Sequence, residues 1–184
     1  MFKDYSFWAI QVIMVALRKA GQRGAVALEI DDLLVAIIVA DQGGAAQAIF
    51  DEPSQGARST PLNPPRRFLA PEVAGDLLAQ IESLRTKSEP IANNPELPIS
   101  EGLKRTLSAA SSLREEMHRK KVEPLHLLAA ALEDESSTAA QIFYRAGVTR
   151  DSVLKALKEE AAFRERPLIA AGTRDTAAVP AYSS

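Results

Sequence analysis

Few residues in this chain could do chemistry, and they are unevenly placed. His118 and His126 are the whole imidazole complement, and cysteine is absent. That excludes a disulfide framework and a thiolate metal centre. Two imidazoles would need several carboxylates to hold zinc, so no metal is expected. Acids gather in two stretches of related pattern, Leu28-Glu29-Ile30-Asp31-Asp32-Leu33-Leu34 and Val122-Glu123-Pro124-Leu125-His126-Leu127-Leu128. A carboxylate beside an imidazole can serve acid–base chemistry. Here, however, His126 sits among apolar residues at a helix start, where a core histidine is the commoner finding. No Gly-x-Ser-x-Gly elbow and no His-Glu-x-x-His helix occurs in the sequence. Glu115-Glu116 and Glu133-Asp134-Glu135 read as solvated charge faces. The chain therefore reads as a non-enzyme without a cofactor. Asp31, Asp32, Glu123 and His126 remain as candidates for protein binding, set against the simpler role of capping and orienting helix ends. A partner rich in Arg or Lys would suit the acidic first stretch.

The elements that place these residues are helices. Ile10, Ile13, Met14 and Leu17 recur at helical spacing after Ser6, and Gly21 and Gly24 close the segment. Leu33, Leu34, Ile37 and Ile38 mark a second, strongly apolar helix that stops near Gly43-Gly44, and a short third one runs from Ala45 to Phe50. Residues 51–67 are rich in proline and read as an exposed loop. Helix resumes at Pro71 with a stripe of Val73, Leu77, Ile81 and Leu84. Ser100 caps a helix striped by Leu103, Leu107, Ala110 and Leu113. Pro124 suits the first position of the next helix. Ala139, Ile142 and Phe143 form another, closed by Gly147, and Thr149 caps the last, with Val153 and Leu157 inward. Beyond Pro167 no period survives, and a mobile tail is expected over 168–184.

A shift of 94 positions lays one half on the other. Ser6 falls on Ser100, Ala16 on Ala110, Glu29 on Glu123, and Leu33-Leu34 on Leu127-Leu128. Ala45-Ala46-Gln47 falls on Ala139-Ala140-Gln141. No gap is needed, and the matches sit at packing and capping positions, so the chain carries an internal helical repeat.

Composition narrows the functional classes. The formal net charge is -2 and aromatics are 5% of residues, against a hydrophobic share of 46% that favours packed helices over sheet. Arg114, Arg119, Lys120 and Lys121, with Arg66 and Arg67, form a short basic cluster, but without a basic excess or interleaved aromatics it does not read as a nucleic-acid site. No apolar run approaches the roughly 20 residues that cross a bilayer, and Asp4 interrupts any signal-peptide pattern. A cytoplasmic protein without membrane or nucleic-acid partners is expected.

The Val122–Leu128 motif, followed by Ala139-Ala140-Gln141-Ile142 and Gly147-Val148, resembles the amino-terminal domain of the Clp/Hsp100 chaperones; residues 9–50 resemble the same repeat more loosely. The resemblance implies an all-α fold of two pseudo-symmetric four-helix repeats. It implies a module that docks an adaptor, an unfolding substrate or the Clp ATPase itself, as an accessory to ATP-dependent unfolding or proteolysis. The expected organisation is repeat one over 6–50, a Pro-rich loop and connecting helix over 51–98, and repeat two over 99–163, within a domain of residues 1–167. The departures are specific. No Gly-x-x-x-x-Gly-Lys-Ser/Thr phosphate loop is present. Family members that bind phosphoarginine use a Glu before the motif His; those places are Asp31 and Leu125 here, so that activity is not carried over. Asp32 stands where the first copy would have its His. A structural or regulatory interaction domain detached from any Clp machine is the alternative.

Overall fold

The computed structural model describes residues 2–45, 48, 67–84, 97–135 and 137–165, with side chains to residue 160. Seven helices of defined bounds occur among these residues: α1 Phe7–Gln22, α2 Ile30–Asp41, α3 Pro71–Leu84, α4 Glu101–Glu116, α5 Pro124–Ala131, α6 Thr138–Arg145 and α7 Arg150–Glu165. Ala45 and Ala48 are also helical, while most of the expected 45–50 helix, the 51–66 loop and the 168–184 tail lie outside the described residues.

The architecture follows from two helices that are apolar on every side. Asp32 through Ile38 of α2 are buried without interruption, as are His126 through Ala131 of α5. Such a helix has no face to give to water and must lie at the centre. α2 and α5 pack on each other. α1 and α3 cover α2, while α4 and α7 cover α5. α3 thus stands to α2 as α7 stands to α5, and α3 also reaches across to α6.

The two halves interlock through their backbones in a symmetric way. Ser6 N donates to Val122 O at 2.9 Å and Ser100 N to Leu28 O at 3.0 Å; Val122 N donates to Asp4 O and Leu28 N to Pro98 O, both at 2.7 Å. Each residue is 94 positions from its counterpart, so these four bonds are one pair repeated by a pseudo-twofold axis. The caps repeat too. Ser6 Oγ accepts from Ala9 N at 3.1 Å and Ser100 Oγ from Leu103 N at 3.2 Å. Past the end of α1, Gly24 takes φ +71°, and His118 takes φ +55° at the same place after α4. The second copy thus places a residue with a side chain in the left-handed region that favours glycine. Thr149 and Ser152 bond reciprocally at the start of α7, as the sequence suggests for Thr149.

One reading of the pattern needs correction. In α1 the expected stripe of Ile10, Ile13, Met14 and Leu17 is not the inward face. Ala9, Val12, Ile13, Ala16 and Ala20 are buried, while Ile10 is 38% and Met14 42% exposed. Small side chains let α1 approach α2 closely, and the bulkier ones are left on the far side. Likewise Leu84 at the end of the α3 stripe is exposed, and Ala74 takes the inward place beside Leu77 and Ile81. The stripe of α4 is buried as the spacing indicates.

Candidate functional site

The candidate residues converge on the starts of the two central helices. Glu29 and Glu123 are the N-caps of α2 and α5, and in each case the third helical residue turns back to the cap. Glu29 N donates to Asp32 Oδ2 at 2.9 Å; Glu123 N donates to His126 Nδ1 at 2.9 Å. An aspartate and a histidine at equivalent positions therefore do the same job, each fully buried, satisfying a backbone N–H that the helix geometry leaves over.

The two copies solve the burial differently. Asp32 brings a full charge into the core, and Arg23 at the end of α1 answers it with a fork: Nε to Oδ1 and Nη2 to Oδ2, each 2.8 Å. In the second copy the place of Arg23 is taken by Met117, which packs half-buried against the core. His126, at the place of Asp32, brings no carboxylate to neutralise. Its Nδ1 accepts, so a neutral ring carries its proton on Nε2, which finds no protein partner among the described residues. Burial, followed by the positive charges of Arg119 and Arg114, pushes the His126 pKa down from its usual 6.5 to about 4. The ring is neutral at physiological pH.

Between the repeats lies a pocket of about 50 Å³. A single water needs roughly 10–15 Å³, so the space is large enough to admit a small group. Trp8 of α1, Ile37 and Ala40 of α2, and Pro124, Leu125 and Leu128 of α5 contribute to it. Phe68 and Leu69 close another side. They are held there by Asp41 at the end of α2, whose two oxygens accept from Phe68 N at 2.6 Å and Leu69 N at 2.9 Å. Gln42 Nε2 adds a bond to Leu69 O at 3.0 Å. The ionisable lining groups are Asp41, Glu123 and Glu160, one each from α2, the cap of α5, and α7.

Of the four candidate residues, Glu123 lines this pocket and Asp31 is half-buried in the first turn of α2. Asp32 and His126 have no exposed surface, so any influence they have on a partner passes through the helix starts they hold. Asp41, Phe68, Leu69 and Glu160 were not singled out by sequence as site residues. With Trp8 they come from four separate places in the chain, and only the fold joins them. Arg23 was missed as well, although the repeat itself held a signal: the shift that sets Asp32 on His126 also sets Arg23 on Met117.

Among the described residues no group of three or more His, Asp or Glu could hold a metal ion, and no helix is long and apolar enough to cross a membrane.

Residues 99–167 match the family described as Clp repeat (R) N-terminal domain. No curated protein matches the chain by sequence. Solved structures do. The N-terminal domain of the caseinolytic protease associated chaperone ClpD from Arabidopsis thaliana superposes with a TM-score of 0.57 at 17% identity, covering 86% of this chain and 97% of that one. The N-terminal domain of Hsp104 from Candida albicans gives 0.55 at 20% identity, covering 82% and 87%. A structure from a malarial protein secretion system gives 0.61 at 20% identity, covering 85% and 94%. The fold is all-α and is that of the Clp/Hsp100 amino-terminal domains, and the family match falls on its second half.

Proposed function

We propose, for a chain with a Clp repeat match in its second half and the fold of the Clp/Hsp100 amino-terminal domains, that it is a non-catalytic protein-binding domain serving a Clp-type ATP-dependent unfoldase or protease as an accessory, adaptor or substrate-recognition module. The observation that carries this reading is the pocket at the junction of the repeats. Its lining is mostly apolar with three carboxylate residues, and it is built jointly by both halves. Pockets of this make-up are the usual place for a ligand group to dock. Glu123 in its lining is the partner-contacting candidate and Asp31 a second. Asp32 and His126 act from behind, by fixing the two helix starts.

The departures from the family motif at Asp32 and Leu125 favour a second reading, an interaction domain whose partner is not a Clp machine. One experiment separates the two. The protein is immobilised and used for affinity capture from its source cell, with and without ATP, beside the variant Leu125→Gln. Recovery of a Clp ATPase or its protease subunit by the parent protein, and its loss from the variant, is the expected result. Recovery of neither, or equal recovery by both proteins, contradicts the Clp-accessory reading.

A further inference from the structure

Independently of the junction pocket, we propose that the second repeat holds a small anion, of the size of chloride or formate, between His126 of α5 and Arg114 of α4. Two buried nitrogens there have no protein partner among the described residues, Nε2 of His126 and Nε of Arg114. Both are donors. Nδ1 of the ring already accepts from Glu123 N at 2.9 Å, which leaves the ring proton on Nε2, and a guanidinium has no acceptor at all. α4 and α5 pack on each other, and Arg119 and Arg114 stand close enough to the ring for their charges to oppose its protonation. The guanidinium is also fixed. Its Nη1 donates to Arg119 O at 3.1 Å and its Nη2 to Glu115 Oε1 at 3.4 Å, so one edge is tied down while Nε stays inside.

The internal repeat shows that this positive charge is not a requirement of the fold. The shift of 94 positions sets Arg114, Arg119, Lys120 and Lys121 on Ala20, Ala25, Val26 and Ala27. In the first copy the guanidinium of Arg23 is balanced by the buried carboxylate of Asp32. The second copy gathers four cations where the first has small apolar residues, and it puts an uncharged ring in place of that carboxylate. Glu115 reaches Arg114, but its side chain is 72% exposed and water screens most of its charge. A bound anion would supply what Asp32 supplies in the first copy, which is negative charge and an acceptor for buried N–H groups. Water meets the second need less well. It can accept from both donors but must then place two hydrogens of its own in a positive field.

His118 and His126 are the only histidines, so their ring signals are simple to follow by NMR. The isotopically labelled full chain is titrated at neutral pH with sodium chloride and, separately, sodium formate. Ionic strength is held constant with the bulky sulfonate MES. With at least one of the two probes, His126 Nε2 and Arg114 Nε are expected to shift together along one saturating curve. Arg114→Gln removes one donor and its charge, and should weaken binding at least about tenfold. Arg119→Gln keeps both donors and the backbone carbonyl that holds Arg114, and should weaken binding less. No shift of the His126 ring with either probe overturns the proposal and leaves the two N–H groups to water. A shift of the exposed His118 ring alone overturns it too, because it means loose attraction of anions to the surface cluster. Equal binding by the parent and Arg114→Gln would place the anion elsewhere and contradict the site.

Discussion

Replacing Arg23 by Met lowers the unfolding free energy by about 3 kcal/mol, and replacing Asp32 by His lowers it by about 2 kcal/mol, whereas the double replacement recovers most of the loss. The single changes each strand half of an ion pair. Arg23→Met keeps the hydrogen bond from Glu29 N but takes the guanidinium fork away from the fully buried Asp32 carboxylate, and breaking a buried ion pair from one side costs about 3–5 kcal/mol. The lower figure applies because the Arg23 side chain is 20% exposed and the pair is not wholly dry. Asp32→His keeps a cap acceptor but leaves the guanidinium without its fork; Arg23 can turn toward water, so this costs less. The double change transplants the solution already present at Met117 and His126. Urea unfolding of the four proteins gives the coupling energy directly, and about 2 kcal/mol or more of non-additivity is expected. Additive losses would mean that the two copies do not share this design.

Lowering the pH weakens the fold through His126. Its folded pKa is about 4, against 6.5 for the free side chain. Between these values the unfolded chain binds the proton and the folded chain does not, so stability falls as pH falls. The stabilisation is complete above about pH 6.5 and is lost progressively down to about pH 4, a change on the order of 3 kcal/mol. Arg119 and Arg114 act in the same sense as burial, and the positive end of α5 also disfavours a cation there. Carboxylates titrate over part of the same range, so the comparison is with His126→Gln, which keeps a side-chain acceptor for Glu123 N and cannot titrate. Over that window the parent should lose about 3 kcal/mol more than the variant. Equal slopes would show that the buried imidazole does not control the acid limb.

The repeat was legible because its marks are local. Ser6, Ser100, Pro124 and Thr149 announce helix starts by chemistry that acts within one turn, and the shift of 94 positions sets Ser6 on Ser100 and Glu29 on Glu123 without gaps. The all-α class followed from the same marks. The inward face of α1 was less legible, since periodicity weights bulky residues and the tight contact with α2 is made by Ala9, Ala16 and Ala20. At the site, the acids near the helix starts were visible, but sequence alone could not divide them by depth. Asp32 is held inside by Arg23, nine residues earlier, and Glu123 faces the pocket. The pocket itself had no signature. Phe68 and Leu69 follow a proline-rich stretch and gain their place through hydrogen bonds to Asp41, 27 and 28 residues away in the chain.

The account turns on the junction pocket being where protein is bound. The most direct measurement is an NMR titration of the full chain with a tryptophan-free unfolded polypeptide, following the single Trp8 indole signal and the backbone amides. The expected result is that Trp8 and the amides of Phe68, Leu69 and Leu125 shift together along one binding curve. Shifts confined to other surfaces, or no shift at saturating polypeptide, would contradict it.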